Sequence, residues 1–284
     1  MPAFRRILAA VDFSAWTPDV VATAAGLARA AGARLELLHV LPLRETDTGA
    51  AEAQLALCVP PVLAGDVAAR RVTRAVVAEL GILEVARESG ADLIVLGTHG
   101  RTGLQHIQLG SVAERVVELS PVPVLTVRRA TAQRQGGAML KISKILCPVD
   151  FSEHSQAALD HAAELARRYG AELTLLHVIE PVLYPIAYGL PPVAPVDYEQ
   201  VAREAAARTL AGMTGKLPNL KVSQRIEAGA ASQRICDLAK DQGFDLIVLA
   251  THGYTGLKHV LLGSTAERVV RHAPCAVLVV KAAR

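Results

Sequence analysis

A glycine-spaced segment occurs twice in this chain. The first copy, LGTHGRTGLQHIQLGSVAERVV, runs from Leu96 to Val117; the second, LATHGYTGLKHVLLGSTAERVV, runs from Leu249 to Val270. Each continues an apolar DLIVL run and ends in Ser-x-x-Glu. The spacing is G-x2-G-x9-G-S, carried by Gly97, Gly100, Gly110 and Ser111 and, with one change, by Ala250, Gly253, Gly263 and Ser264. Gly103 and Gly256 add a further glycine to each loop. Glycines let a backbone fold tightly and bring its N–H groups close to an anion. A helix that starts just after them offers unpaired N–H groups and the positive end of its dipole. Strand, glycine loop and helix start, in that order, can hold a phosphate chain. The competing reading is local: Ser111-x-x-Glu114 and Ser264-x-x-Glu267 have the pattern of capping boxes, which stabilise a helix start with no ligand.

The loops need elements to hold them, and self-comparison supplies these. RRILAAVDFS (Arg5 to Ser14) matches SKILCPVDFS (Ser143 to Ser152), and ARLELLHVLP (Ala33 to Pro42) matches AELTLLHVIE (Ala171 to Glu180). PVPVLTVRR (Pro121 to Arg129) matches PCAVLVVKA (Pro274 to Ala282). Short apolar runs separated by amphipathic stretches predict buried parallel strands and helices. In the first half they predict strands at Arg6–Val11, Arg34–Val40, Val72–Val77, Asp92–Gly97 and Val122–Val127. Helices are predicted at Thr17–Ala31, Glu79–Ser89 and Val112–Leu119. Thr17-Pro18 reads as an N-cap and first helical residue, and Gly32 and Gly170 as helix-ending glycines. The expected class is α/β, two Rossmann-like domains at 1–129 and 143–284 joined by a polar linker at 130–142. The middles differ. The second half has a longer insert and a clear helix near Tyr198–Met213. In the first, Arg44–Arg70 is shorter and broken by Pro60-Pro61, which predicts at most a truncated helix.

In an open parallel sheet, ligands bind at the carboxyl ends of the strands where the winding reverses. The first strands end in Asp12 and Asp150, the second in Val40 and Val178. A carboxylate there can accept a hydrogen bond from an adenine amino group or a ribose hydroxyl, and Asp-Phe-Ser is equally a reasonable turn.

Composition narrows the classes. The chain has 284 residues, 51% hydrophobic and 20% charged, which suits well-buried domains. The net charge of +3, with no basic run, argues against nucleic acid. Cys58, Cys147, Cys236 and Cys275 lack C-x-x-C spacing and read as reduced thiols. The histidines show no metal-ligand spacing. The segment around Met1 to Ser14 has neither the pattern of a signal peptide nor that of a membrane span, so a cytoplasmic location is the expectation. No Lys-Ser/Thr follows the glycines, which excludes the P-loop, and Ser111 and Ser264 lack the flanks of a nucleophile elbow.

On Val11-Asp12-Phe13-Ser14, Val149-Asp150-Phe151-Ser152, Leu38-His39-Val40, Leu176-His177-Val178 and the two glycine segments, the chain resembles the tandem universal stress proteins of the UspA family. The resemblance covers nearly all of both repeats. It implies two adenine nucleotide α-hydrolase-like sheets of strand order 3-2-1-4-5, and ATP, with or without Mg²⁺, as ligand. In the first half the implied site is Asp12, Val40, Gly97, His99, Gly100, Arg101, Gly103, Gly110, Ser111 and Val112. In the second it is Asp150, Val178, Ala250, His252, Gly253, Gly256, Gly263, Ser264 and Thr265. It further implies that the last strands, Val122–Val127 and Ala276–Val280, join the halves, with a homodimer and an unidentified protein partner as additional expectations. Ala250 in place of the first glycine and Tyr254 in place of Arg101 predict tighter binding in the first half. The expected function is a nucleotide-binding stress-response regulator. The alternatives are a slow ATPase or adenylate-handling enzyme, for which only Asp12 and Asp150 offer carboxylates, and a scaffold with vestigial sites.

Overall fold

The structure is a computed structural model and describes residues 4–98, 109–128, 142–180, 198–251 and 262–281. The first half runs β1 (Arg6–Ala10), α1 (Thr17–Ala31), β2 (Arg34–Pro42), α2 (Thr48–Leu57), a 3-10 turn, β3 (Val67–Ala75), α3 (Ala78–Ser89), β4 (Leu93–Gly97), α4 (Ser111–Leu119) and β5 (Val124–Val127). The second runs β6 (Lys144–Pro148), α5 (Glu153–Tyr169), β7 (Glu172–Ile179), α6 (Tyr198–Gly215), β8 (Val222–Ala228), α7 (Ala231–Asp241), β9 (Leu246–Ala250), α8 (Ser264–His272) and β10 (Ala276–Val280). Each half is a parallel sheet of order 3-2-1-4-5, as expected, and the two merge into one ten-stranded sheet, β3-β2-β1-β4-β5-β10-β9-β6-β7-β8.

Alternating side chains of the strands feed two cores. Ile7, Ala9, Leu35, Leu37, Cys147 and Leu173 face the helices α1, α2, α5 and α6. Leu8, Leu38, Ile94, Leu146 and Ile247 face α3, α4, α7 and α8. With both faces covered, the inner strands are largely apolar, which is why they read as continuous runs rather than as alternations. The glycines Gly32 and Gly170 end α1 and α5 at φ 65° and 63°, the left-handed conformation in which glycine commonly stops a helix.

Two expectations change and a third is met. Thr17 is not an N-cap: α1 begins at Thr17 itself, Trp16 precedes it in helical backbone, and no side chain caps this start. The third strand begins at Val67, not Val72, and stops at Ala75, leaving Val76 74% exposed. It is an edge strand whose exposed Arg70 and Arg74 break the apolar pattern by which a strand is found. The truncated helix exists as α2, ten residues begun by Asp47, whose Oδ1 accepts from Ala50 N at 3.0 Å.

The halves meet at β5 and β10, which pair antiparallel with Val277 opposite Thr126. All strands of one half therefore run against those of the other, and their carboxyl edges lie on opposite sides of the sheet. The strand after the seam residue ends alike in both halves. Arg128 donates to the carbonyls of Val270 and Arg271 at the end of α8, and Lys281 Nζ donates to Glu118 O at the end of α4, 3.1 Å away. Each half thus sets a cation on the carboxyl terminus of the other's last helix, where the dipole favours it. On the opposite face Arg168 Nη1 donates to Ala30 O at 3.0 Å and Phe4 stacks on His161.

Candidate functional site

β1 lies between β2 and β4, so the winding reverses at its carboxyl end, and the same holds for β6 between β7 and β9. Asp12 and Asp150 follow these strands. Asp12 Oδ1 accepts from Ser14 N at 3.1 Å; Asp150 Oδ1 accepts from Ser152 N at 3.1 Å and from Ser152 Oγ at 2.6 Å. The turn reading is therefore correct, and it fixes each carboxylate at the switch point. The residue between is left-handed in both copies: Phe13 at φ 61° and Phe151 at φ 67°. An L-residue there is strained by roughly 1–2 kcal/mol, and such backbone clusters at functional sites.

Val40 and Val178 stand on the adjoining β2 and β7, part-buried against the same core. Above Val40 the backbone of α3 comes unusually near: a methyl added at Gly81 would lie 2.8 Å from Val40 Cγ1 and 3.0 Å from Ala75 Cβ. Gly97 closes β4 and Ala250 closes β9, each within regular strand. Strand backbone accepts alanine, so the Ala250 substitution requires no conformational change. Gly110 and Gly263 are the N-caps of α4 and α8, in extended backbone at φ −61° and −69°, with no capping side chain. Ser111 and Ser264 are the first helical residues, followed by Val112 and Thr265, so the capping-box reading fails. The glutamates are engaged elsewhere: Arg271 Nη2 reaches Glu267 at 2.9 Å and Glu114 at 3.3 Å across the seam. His99, Gly100, Arg101, Gly103, His252, Gly253 and Gly256 lie outside the described residues.

Two features had little sequence signal. Thr98 and Thr251, 0% and 2% exposed, close the loop at its base. Gly110 N donates to Thr98 O and Gly263 N to Thr251 O, both at 2.7 Å, while Thr98 N and Thr251 N bond to Val127 O and Val280 O at 3.1 Å. In each half the residue after the fourth strand is thus bonded directly to the residue before the last helix. Only the repetition of Thr-His-Gly hinted at this. The second feature pairs the strained turn with a histidine. Phe13 stacks on His39 at 4.0 Å and Phe151 on His177 at 4.2 Å between ring centroids. His39 Nδ1 lies 2.7 Å from Val11 O, and His177 Nδ1 lies 2.9 Å from Val149 O.

A cleft of about 260 Å³ lies at the opposite, amino edge of the first half, under Arg6, Arg34 and Ser89. Arg6 is engaged there in structure, donating to Ser89 O at 2.8 Å. Among the described residues, no group of three or more His, Cys, Asp or Glu is placed to hold a metal ion, and no helix is long and apolar enough to cross a membrane.

The model of the universal stress protein family matches residues 3–128 and again 141–281. The chain belongs to that family. A universal stress protein of Mycolicibacterium smegmatis is 30% identical over 193 residues, 67% of this chain and 62% of that protein. A universal stress protein of Methanocaldococcus jannaschii is 31% identical over 153 residues, covering 49% of this chain and 94% of its own length. Among solved structures, a functionally unknown protein of Pseudomonas aeruginosa superposes with a TM-score of 0.75 at 21% identity, over 99% of this chain and 93% of that one. A universal stress protein of Archaeoglobus fulgidus gives 0.65 at 22% identity, over 98% and 96%. At such identities these two likenesses are of fold. They extend over both halves, so the paired arrangement of this universal stress protein is shared by whole chains.

Proposed function

We propose that this universal stress protein is a nucleotide-binding stress-response regulator with one adenine-nucleotide site in each half. The observation that carries the reading is the convergence, at each winding reversal, of an anchored carboxylate, the end of the second strand, and an uncapped helix start bonded to the end of the fourth strand. The carboxylate and the strand end suit the polar edge of a base or the hydroxyls of a ribose. The helix start suits phosphate, since Gly110 and Gly263 place no side chain over it. ATP fits this donor set, and any Mg²⁺ would be held chiefly by the phosphates. A partner would read the occupancy of the loops. The first half remains the tighter site in this reading, on the strength of Arg101, because Ala250 sits in strand backbone that costs it nothing.

Denaturing the purified chain and counting released adenine nucleotide per chain tests the reading; one or two are expected. No released nucleotide, together with no uptake of added ATP in calorimetry, would overturn it. The substitutions Gly110→Val and Gly263→Val rank the sites. Extended backbone at φ −61° and −69° accepts valine, so each variant adds bulk at the helix mouth without backbone strain. Gly110→Val is expected to remove the tighter phase of ATP binding. Loss only with Gly263→Val reverses the ranking.

A further inference from the structure

His39 is 4% exposed, yet it is an imidazole rather than an aliphatic side chain at the end of an apolar strand. Its Nδ1 faces Val11 O at 2.7 Å, and a carbonyl only accepts, so the ring carries its proton on Nδ1. His177 and Val149 O repeat the contact at 2.9 Å. These carbonyls have a particular place in the ladder. Val11 N donates to Leu38 O and Val149 N to Leu176 O. In a parallel ladder the next rung runs from the residue two further on, Val40 or Val178, back to the Val11 or Val149 carbonyl. The imidazole delivers a donor to that acceptor at the rung where the strands part. Its flat face then carries Phe13 or Phe151, stacked at 4.0 and 4.2 Å, the residues whose left-handed backbone makes the Asp-Phe-Ser turn. The three observations recur together in both halves.

We propose that His39 and His177 are positioning residues of the two nucleotide sites: each ends its β1–β2 or β6–β7 ladder and props the strained turn, so that Asp12 with Val40, and Asp150 with Val178, present a fixed edge to the purine base. This inference rests on the nucleotide reading above. Packing alone would be served by an aliphatic residue, without the cost of burying an imidazole. The donor and the stacked face explain why histidine stands there.

The test uses the full chain with both positions changed, so that neither site masks the other. His39→Phe with His177→Phe keeps a ring against the phenylalanine and removes the donor. His39→Asn with His177→Asn places an N–H donor at the position of Nδ1 and removes the ring. Calorimetric titrations with ATP and with GTP, and melting without ligand, are compared with wild type. The Phe pair is expected to fold, to lose ATP affinity about tenfold, and to lose most of its preference for ATP over GTP. The Asn pair is expected to recover part of that preference. Wild-type affinity and preference in the Phe pair would overturn the proposal. So would an equal loss for ATP and GTP that asparagine does not relieve, since that is the mark of general loosening. In wild type, imidazole nitrogen NMR is expected to show both rings protonated on Nδ1 and shifted by ATP; ring signals that ATP leaves unmoved would overturn the proposal even if a variant fails to fold. A wild-type chain that takes up no nucleotide would remove the parent reading as well, whereas normal uptake with indifferent variants would remove this inference alone.

Discussion

At the scale of single residues, the site is governed by close approaches that composition does not reveal. Gly81 shows this best. It lies inside α3, where alanine would ordinarily favour the helix by up to about 1 kcal/mol. Here the added methyl would meet Val40 Cγ1 at 2.8 Å and Ala75 Cβ at 3.0 Å. Valine has little rotamer freedom in a strand, so relief requires α3 or β2 to shift, a strain of about 1–3 kcal/mol. Gly81→Ala is therefore expected to lower stability by about 1 kcal/mol in urea unfolding. It is also expected to weaken ATP binding in the first half while leaving the second unaffected. A more stable variant with unchanged binding would show that Val40 is not held by this contact. The second half solves the same position differently: Arg234 replaces the glycine and donates to Ala228 O at 2.9 Å, beside Gly229 at φ 130°. In sequence, Gly81 had the standing of any helical glycine, because its partner Val40 is distant in the chain.

At the scale of elements, identical letters build different helix starts. Both halves read Val-Asp-Phe-Ser, but only Ser152 caps a helix. Its Oγ accepts from Ser155 N at 3.1 Å, and its carbonyl receives the first rung of α5 from Gln156 N at 3.1 Å. The residue that matches Gln156 in the first half is Pro18, which has no N–H. That rung cannot form, and α1 starts at Thr17, two residues later than α5 starts in the matched numbering. Ser14 is left with the longer 3.3 Å contact from Trp16 N. Ser152→Ala is accordingly expected to cost about 1 kcal/mol, the usual worth of a cap, and Ser14→Ala less than half as much, measured by urea unfolding. Equal costs would refute the assignment. Most elements were legible because buried parallel strands and alanine-rich helices announce themselves by hydrophobic pattern. The errors fell where one atom or one edge decides: a missing proline N–H at α1, an arginine-bearing edge at β3, and Ser111 and Ser264 inside helices that Gly110 and Gly263 begin. That Asp12 and Asp150 follow the first strands and that Gly110 and Gly263 stand before the last helices was legible in the sequence; the Thr98 and Thr251 closures and the stacking of His39 and His177 on the turns were not, since each joins residues far apart in the chain.

At the scale of the whole molecule, the joined sheet makes stability depend on groups at the seam, and one of them titrates in an accessible range. The pairing of last strands was expected from the resemblance; the crossed cations were not, because Arg128 and Lys281 read only as strand-ending residues. Arg128 keeps its charge under any mild condition. Lys281 does not: burial pushes its ammonium down to about 8, against the opposing pull of Glu118. The sign follows from linkage. In the unfolded chain the lysine holds its proton to about pH 10.4, while in the folded chain it releases it near 8. Between these values the unfolded state binds more protons, so this group makes the folded state more stable as pH rises. The neutral amine can still donate to Glu118 O, so the seam contact survives. The thiols work the other way, since burial raises Cys236 to about 11 and Cys275 to about 12, so that the folded state holds their protons longer. Subtraction isolates the lysine. Urea unfolding of wild type and Lys281→Met from pH 7 to pH 10 is expected to show wild type gaining stability relative to the variant as pH passes 8. A difference that stays flat across that window would mean that Lys281 titrates alike in the folded and unfolded chains, and that its amine is not buried against α4.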